Sequence, residues 1–133
     1  MIRNVHFILY VADQERSTMF YRRILNIEPR LNVPGMTEFD LPGGTVLGLM
    51  PERGIKRLLG AALADPAWAN GAPRAELYLI VDSPVEIHQK AIGIGAVEIS
   101  PPLERDWGHL AAYSLDPDGH VLAFACPVSK KMA

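Results

Sequence analysis

Two side chains stand out for chemistry because each interrupts an apolar strand. His6 sits in Val5 to Val11, and Glu76 opens a run ending Leu77-Tyr78-Leu79-Ile80-Val81. Aligning Val11 with Val81 puts His6 and Glu76 at equivalent positions. Histidine and glutamate are the donors a divalent metal takes, but a site needs three or four of them converging, with positions left open for substrate. The same pair could instead hydrogen-bond each other as satisfied buried groups. Glu76 is the harder of the two to dismiss, because a lone buried carboxylate needs a partner, water or a cationic ligand. The other histidines add little: His88 falls on a helix and is expected to be solvated, His109 starts a strand at a rim, and His120 adjoins a turn. The single cysteine, Cys126, reads as a small apolar residue at a strand end. By strand alternation Ile8, Tyr10, Val46, Met50, Tyr78, Ile80, Val121 and Ala125 share faces with the two polar positions. Apolar and aromatic surface with a few polar points is the make-up of a small-molecule site. Phe39, Trp68 and Trp107 are further aromatic candidates; packing within the protein is the competing role for Phe39 and Trp68. No catalytic residue is assigned.

The elements that must position these residues come in two copies. Asp116-Pro117-Asp118-Gly119 between two apolar runs has the composition of a type I turn in a β-hairpin. An echo stands at Leu41-Pro42-Gly43-Gly44-Thr45, with Pro42 on Pro117, Gly44 on Gly119, Val46 and Leu47 on Val121 and Leu122, and Gly48 on Ala123. The first copy reads strand Val5 to Val11, helix Arg16 to Leu25 after an Asp13 cap, then three strands around Pro29 to Val33, Met36 to Leu41 and Thr45 to Met50. Phe20, Ile24 and Ile27 form its helix face, and Asn26 suits a left-handed helix end. The second copy reads strand Ala75 to Val81, helix Val85 to Ile94 after Asp82-Ser83-Pro84, a strand near Val97 to Ile99, and strands His109 to Leu115 and His120 to Cys126. Pro101-Pro102 and Glu104 to Trp107 are expected to form a loop. Gly95 stands where Asn26 stood. The modules span residues 1–51 and 74–128. Residues 52–73 form a connector, with an amphipathic helix through Ile55, Leu58, Leu59, Ala62 and Leu63 stopped by Asp65-Pro66.

The chain has 133 residues, 49% of them hydrophobic and 21% charged, which is globular composition for one ordinary domain. A formal net charge of −2 supplies no basic field for nucleic acid or an acidic membrane. No apolar run approaches the roughly 20 residues of a membrane span, and the start reads as a strand rather than a signal peptide. One cysteine fits a reducing cytoplasm. Ser129 to Ala133 is a polar tail expected to fray.

Two tandem βαβββ modules, with Phe20-Tyr21-Arg22-Arg23-Ile24-Leu25-Asn26 after the first strand and Asp116-Pro117-Asp118-Gly119-His120 before the last, resemble the vicinal oxygen chelate superfamily of glyoxalases, bleomycin-resistance proteins and extradiol dioxygenases. Asn26 replaces the usual Gly of the first signature. The resemblance implies an α+β fold in which each module curls its sheet into half a barrel around a pocket. It also implies metal-ligand positions on the first and last strands of each module, which here are His6, Glu76, Gly48 and Ala123. Gly48 and Ala123 have no donor atom, so at most His6 and Glu76 remain. The implied function is that of the bleomycin-resistance branch: a metal-free homodimer, with no cofactor, sequestering an aromatic or amphipathic ligand at the dimer interface. His6, Tyr10, Phe39, Met50, Trp68, Glu76, Tyr78 and Trp107 are the expected ligand-binding residues, and Glu76 suits a cationic ligand. The alternative implied by the same resemblance is a metal-dependent glyoxalase-like lyase or isomerase, or a dioxygenase, holding a divalent ion through His6 and Glu76.

Overall fold

The computed structural model describes residues 1–128, so the tail expected to fray lies outside the described residues. The chain divides into two compact units, Met1–Asn70 and Gly71–Ala133.

The first unit runs β1 (Val5–Val11), α1 (Gln14–Leu25), β2 (Leu31–Val33), β3 (Met36–Asp40), β4 (Thr45–Pro51) and α2 (Glu52–Leu59). Its four strands lie in the order β1-β4-β3-β2, with β1 parallel to β4 and the other pairs antiparallel. Asp13 caps α1 by accepting from the Arg16 amide at 3.0 Å, and Asn26 ends it in the left-handed conformation at φ 55°. Phe20 and Ile24 are buried as the helical spacing requires. Ile27 is not, because the reversal at Asn26 turns the chain away before it.

The connector helix is shorter than its apolar spacing suggests. Gly60, at φ 65° and ψ −144°, ends α2, and two short 3-10 turns follow at Gly60–Ala62 and Pro66–Ala69. Ile55 alone of the connector's apolar positions is buried in α2, while Leu58 and Leu59 stay exposed.

The second unit runs β5 (Glu76–Ile80), α3 (Pro84–Gly93), β6 (Val97–Glu104), β7 (His109–Leu115) and β8 (Val121–Pro127), with strand order β5-β8-β7-β6. β5 is parallel to β8, so both units carry the same topology, and neither sheet closes into a barrel. The hairpin turns correspond bond for bond: Leu41 N–H donates to the Thr45 carbonyl at 2.8 Å and Asp116 N–H to the His120 carbonyl at 2.9 Å. In the second turn the Asp116 carboxylate also accepts from the Asp118 and His120 amides, each at 2.9 Å. One sequence expectation fails here. β6 continues through Pro101-Pro102 to Glu104, because an edge strand with shifted register at Glu98/Ser100 and Ser100/Leu103 tolerates prolines that cannot donate.

The second unit's sheet has a helix-bearing face and a helix-free face, α3 being the one helix of that unit among the described residues. In the second unit His88 of α3 reaches Glu98, whose register partner is Ser114, so Glu98, Ser114 and Leu122 mark the helix side. Tyr78, Ala123 and Tyr113, offset by one residue, form a row on the other side.

Candidate functional site

In the first unit β1 and β4 place His6 opposite Val46, Ile8 opposite Gly48 and Tyr10 opposite Met50. Tyr10 and Met50 are half-buried on that face. Beyond Gly48 on β3 stands Glu38, whose Oε1 accepts from Arg30 Nε at 2.9 Å and Nη2 at 2.8 Å. Glu38 Oε2 lies 3.5 Å from His6 Nδ1. The corner where a last-strand ligand would sit is packed with carbon and sulfur. A Cβ added at Gly48 would meet Ile8 Cγ1 at 3.1 Å and Met36 Sδ at 3.3 Å. Glu38 is already neutralised by Arg30, Gly48 has no donor, and among the described residues no three of His, Cys, Asp and Glu are grouped to hold a metal ion. Two of the expected aromatics stand elsewhere in this unit. Phe39 is 0% exposed and shares its face with its partner Leu47, opposite to Glu38, so it is core. Trp68 is 77% exposed on a 3-10 turn and plugs nothing in its unit.

The second unit gathers the richer cluster on its helix-free face. The row Tyr78–Ala123–Tyr113 crosses three strands, and Glu76 lies one row along, opposite Val121. Residues 105 to 108 form a tight turn closed by Gly108 N–H to the Arg105 carbonyl at 3.1 Å, with Gly108 at φ 86°. That turn throws Trp107 back onto β5, where its Nε1 donates to the Tyr78 hydroxyl at 2.8 Å. Tyr78 in turn lies 2.6 Å from His109 Nδ1, and the two rings stack at 5.7 Å between centroids. An indole N–H only donates, so the Tyr78 oxygen accepts from Trp107 while it also bonds His109 Nδ1.

Across the sheet, the Arg105 guanidinium stacks over Tyr113 at 5.1 Å from the ring centroid. Its Nη2 bonds Ser100 Oγ at 2.6 Å and the Ala111 carbonyl at 2.9 Å, and its Nε also points at Ala111. Burial raises the Tyr113 phenol above its ordinary 10.0, the charges of Glu76 and Tyr78 push the same way, and Arg105 opposes them.

Of the remaining candidates, His109 joins the cluster rather than standing at a rim. His88 is not solvated: it is 2% exposed, with Nε2 2.8 Å from Glu98 Oε2 and Nδ1 unpartnered, a tie between α3 and β6. His120 is buried beside the turn, 3.4 Å from Arg74. Sequence reasoning passed over Tyr113, Arg105, Glu38 and Arg30. Tyr113 could have been found by extending the alternation one strand further from Ala123; the other three depend on side-chain reach, for which the sequence carries no signal. A separate open groove of about 750 Å³ runs beside the start of α1, lined by Asp13, Glu15, Met19, Arg22, Asn32 and Arg53, and includes none of the expected residues.

The model of the Glyoxalase/Bleomycin resistance protein/Dioxygenase superfamily matches residues 3–124. Among solved structures, a glyoxalase-related enzyme from Fulvimarina pelagi is similar over 100% of this chain and 96% of its own, with a TM-score of 0.79 and 20% identity. A glyoxalase/bleomycin resistance protein/dioxygenase family enzyme from Burkholderia phytofirmans covers 92% and 97%, with a TM-score of 0.79 and 18% identity. TioX from Micromonospora covers 95% and 99%, with a TM-score of 0.72 and 17% identity. At these identities the likeness is one of fold. No curated protein matches the sequence.

Proposed function

Because the chain belongs to the glyoxalase/bleomycin resistance protein/dioxygenase superfamily, we propose that it binds and sequesters a small aromatic or amphipathic molecule without a resident metal, on the helix-free face of its second unit. The observation that carries this reading is the state of Trp107. Its ring is 53% exposed, yet its N–H is already satisfied by a tyrosine that is itself bonded to and stacked on His109. An exposed indole held in one orientation gives up little freedom when a ring stacks on it. Each such contact adds about 0.5–1.5 kcal/mol beyond the area it buries. The family's metal corners support the same reading, since Gly48 and Ala123 offer no donor and Ile8 and Met36 fill the first of them. The protein works as a homodimer, supported by apolar residues left uncovered on the edge strand β1, Val5 and Phe7 among them.

The test uses Trp68→Phe, which leaves Trp107 as the only indole of the two in the chain. A panel of planar aromatic compounds should then include members that quench its fluorescence saturably. In equilibrium dialysis Trp107→Ala should weaken their binding about tenfold or more, the loss of a central stacked aromatic. A panel that never saturates the signal sinks the proposal. One tightly held Zn, Ni, Mn or Fe per chain, lost on replacing His6, would move the protein to the metal-dependent branch of its family.

A further inference from the structure

The turn that carries Trp107 also carries an unpaired cation. Arg105 is half-buried, and among the described residues no carboxylate lies within ion-pair distance of it. Its Nε and Nη2 are spent on Ser100 and the backbone at Ala111, with Pro101 at 3.5 Å, while no partner of Nη1 stands among the described residues. The Tyr113 ring beneath and these acceptors hold the guanidinium in one plane. A half-buried guanidinium that is oriented, desolvated on one side and unneutralised is matched by an anionic oxygen. Glu76 does not neutralise it: it pairs with Val121 in the Leu115 row, whereas Arg105 pairs through its backbone with His109, so the two charges approach Tyr113 from opposite ends of β7.

We infer that the ligand of this face is a planar aromatic anion, its ring on Trp107 and its acidic group on Nη1 of Arg105. The inference rests on the binding function proposed above and adds the ligand's charge. Arg105 and Trp107 are positions i and i+2 of one tight turn, so cation and ring come from one backbone segment, and their anchors Tyr113 and Tyr78 stand on either side of Ala123 in one row of the sheet. Glu76 at the far end disfavours a second acidic group there and accepts a donor instead.

A matched pair of probes, naphthoate and the corresponding naphthalenemethanol, reads the charge separately from the ring. The wild-type protein should bind the carboxylate about tenfold or more tightly than the alcohol, the worth of one charge-assisted contact. Arg105→Met should bring that ratio close to one, and Arg105→Lys should retain part of it. Equal affinities in the wild-type protein, or a preference that survives Arg105→Met, overturn the anion assignment and leave the aromatic site standing. If neither probe binds the wild-type protein, the anion assignment falls, and the wider panel of aromatic compounds decides the binding function. The wild-type comparison decides the matter even if Arg105→Met does not fold.

Discussion

Tyr113 reports on the cluster at the scale of single residues. Its phenol ionises above 10.0 because burial disfavours the phenolate and Glu76 and Tyr78 add negative charge, against the pull of Arg105. A folded-state value raised above the unfolded one means that the protonated form is favoured in the fold. Its contribution to stability is therefore whole below about pH 10 and is lost as pH rises through the folded value. Titration of phenolate absorbance should show a component from Tyr113 ionising above 10.0. Arg105→Met should delay it further and Glu76→Gln should advance it. A curve unmoved by Arg105→Met would contradict the guanidinium's place over the ring. At this scale packing was legible for Phe39, and the sequence misled for His88, which is buried. Phe39 alternates with Glu38 and so faces inward; His88 sits on the one stripe of α3 that meets β6. Burial of that kind depends on what lies opposite, which one chain segment does not record.

Turns and caps belong to the next scale, and the two hairpins offer an internal control. Gly44 and Gly119 occupy equivalent turn positions at φ 77° and φ 87°. An alanine at either must adopt a left-handed backbone, costing about 1–2 kcal/mol. Around Gly44 nothing lies within 4 Å of an added Cβ, whereas at Gly119 the methyl would run into the backbone of Gly71. That segment is tied to the turn by Arg74, whose Nη2 donates to the Asp118 carbonyl at 2.7 Å. In urea unfolding, Gly119→Ala should cost clearly more than Gly44→Ala, by about 1 kcal/mol or more. Equal losses would mean that the Gly71 segment does not press on the turn. The repeat itself was readable because it is written in residues with special backbone demands: Asp13 and Ser83 at helix starts, Asn26 and Gly95 after helix ends, and glycine in both turns. Elements governed by context were not. The apolar spacing of the connector promised a longer helix, but Gly60 ended it, and Pro101-Pro102 looked like a loop because nothing local says that β6 is an edge strand.

For the whole molecule, the open question is association. Phe7 is 57% exposed on β1, which has a hydrogen-bonded neighbour on one side only within its sheet. Light scattering should give about twice the 14.6 kDa chain mass, and Phe7→Asp should shift the protein toward the monomer. A monomeric wild-type protein, or a dimer indifferent to the aspartate, rules out the proposed use of this strand. Two units of the same topology differ in the residues they carry, and the second gathers Trp107, Tyr78, His109, Arg105 and Tyr113.

Strand and helix order, the duplication and the family were written in the amino-acid sequence, since capping, turn conformation and apolar alternation are local and each residue carries its own preference. The loss of donors at Gly48 and Ala123 was equally plain, because a missing side chain needs no structure to be noticed. Tertiary structure alone decided that Trp107 bonds Tyr78, that Arg105 covers Tyr113, and that Ile8 closes over Gly48. Those contacts join residues separated by many positions through side-chain reach and register, and neither quantity exists until the strands have paired.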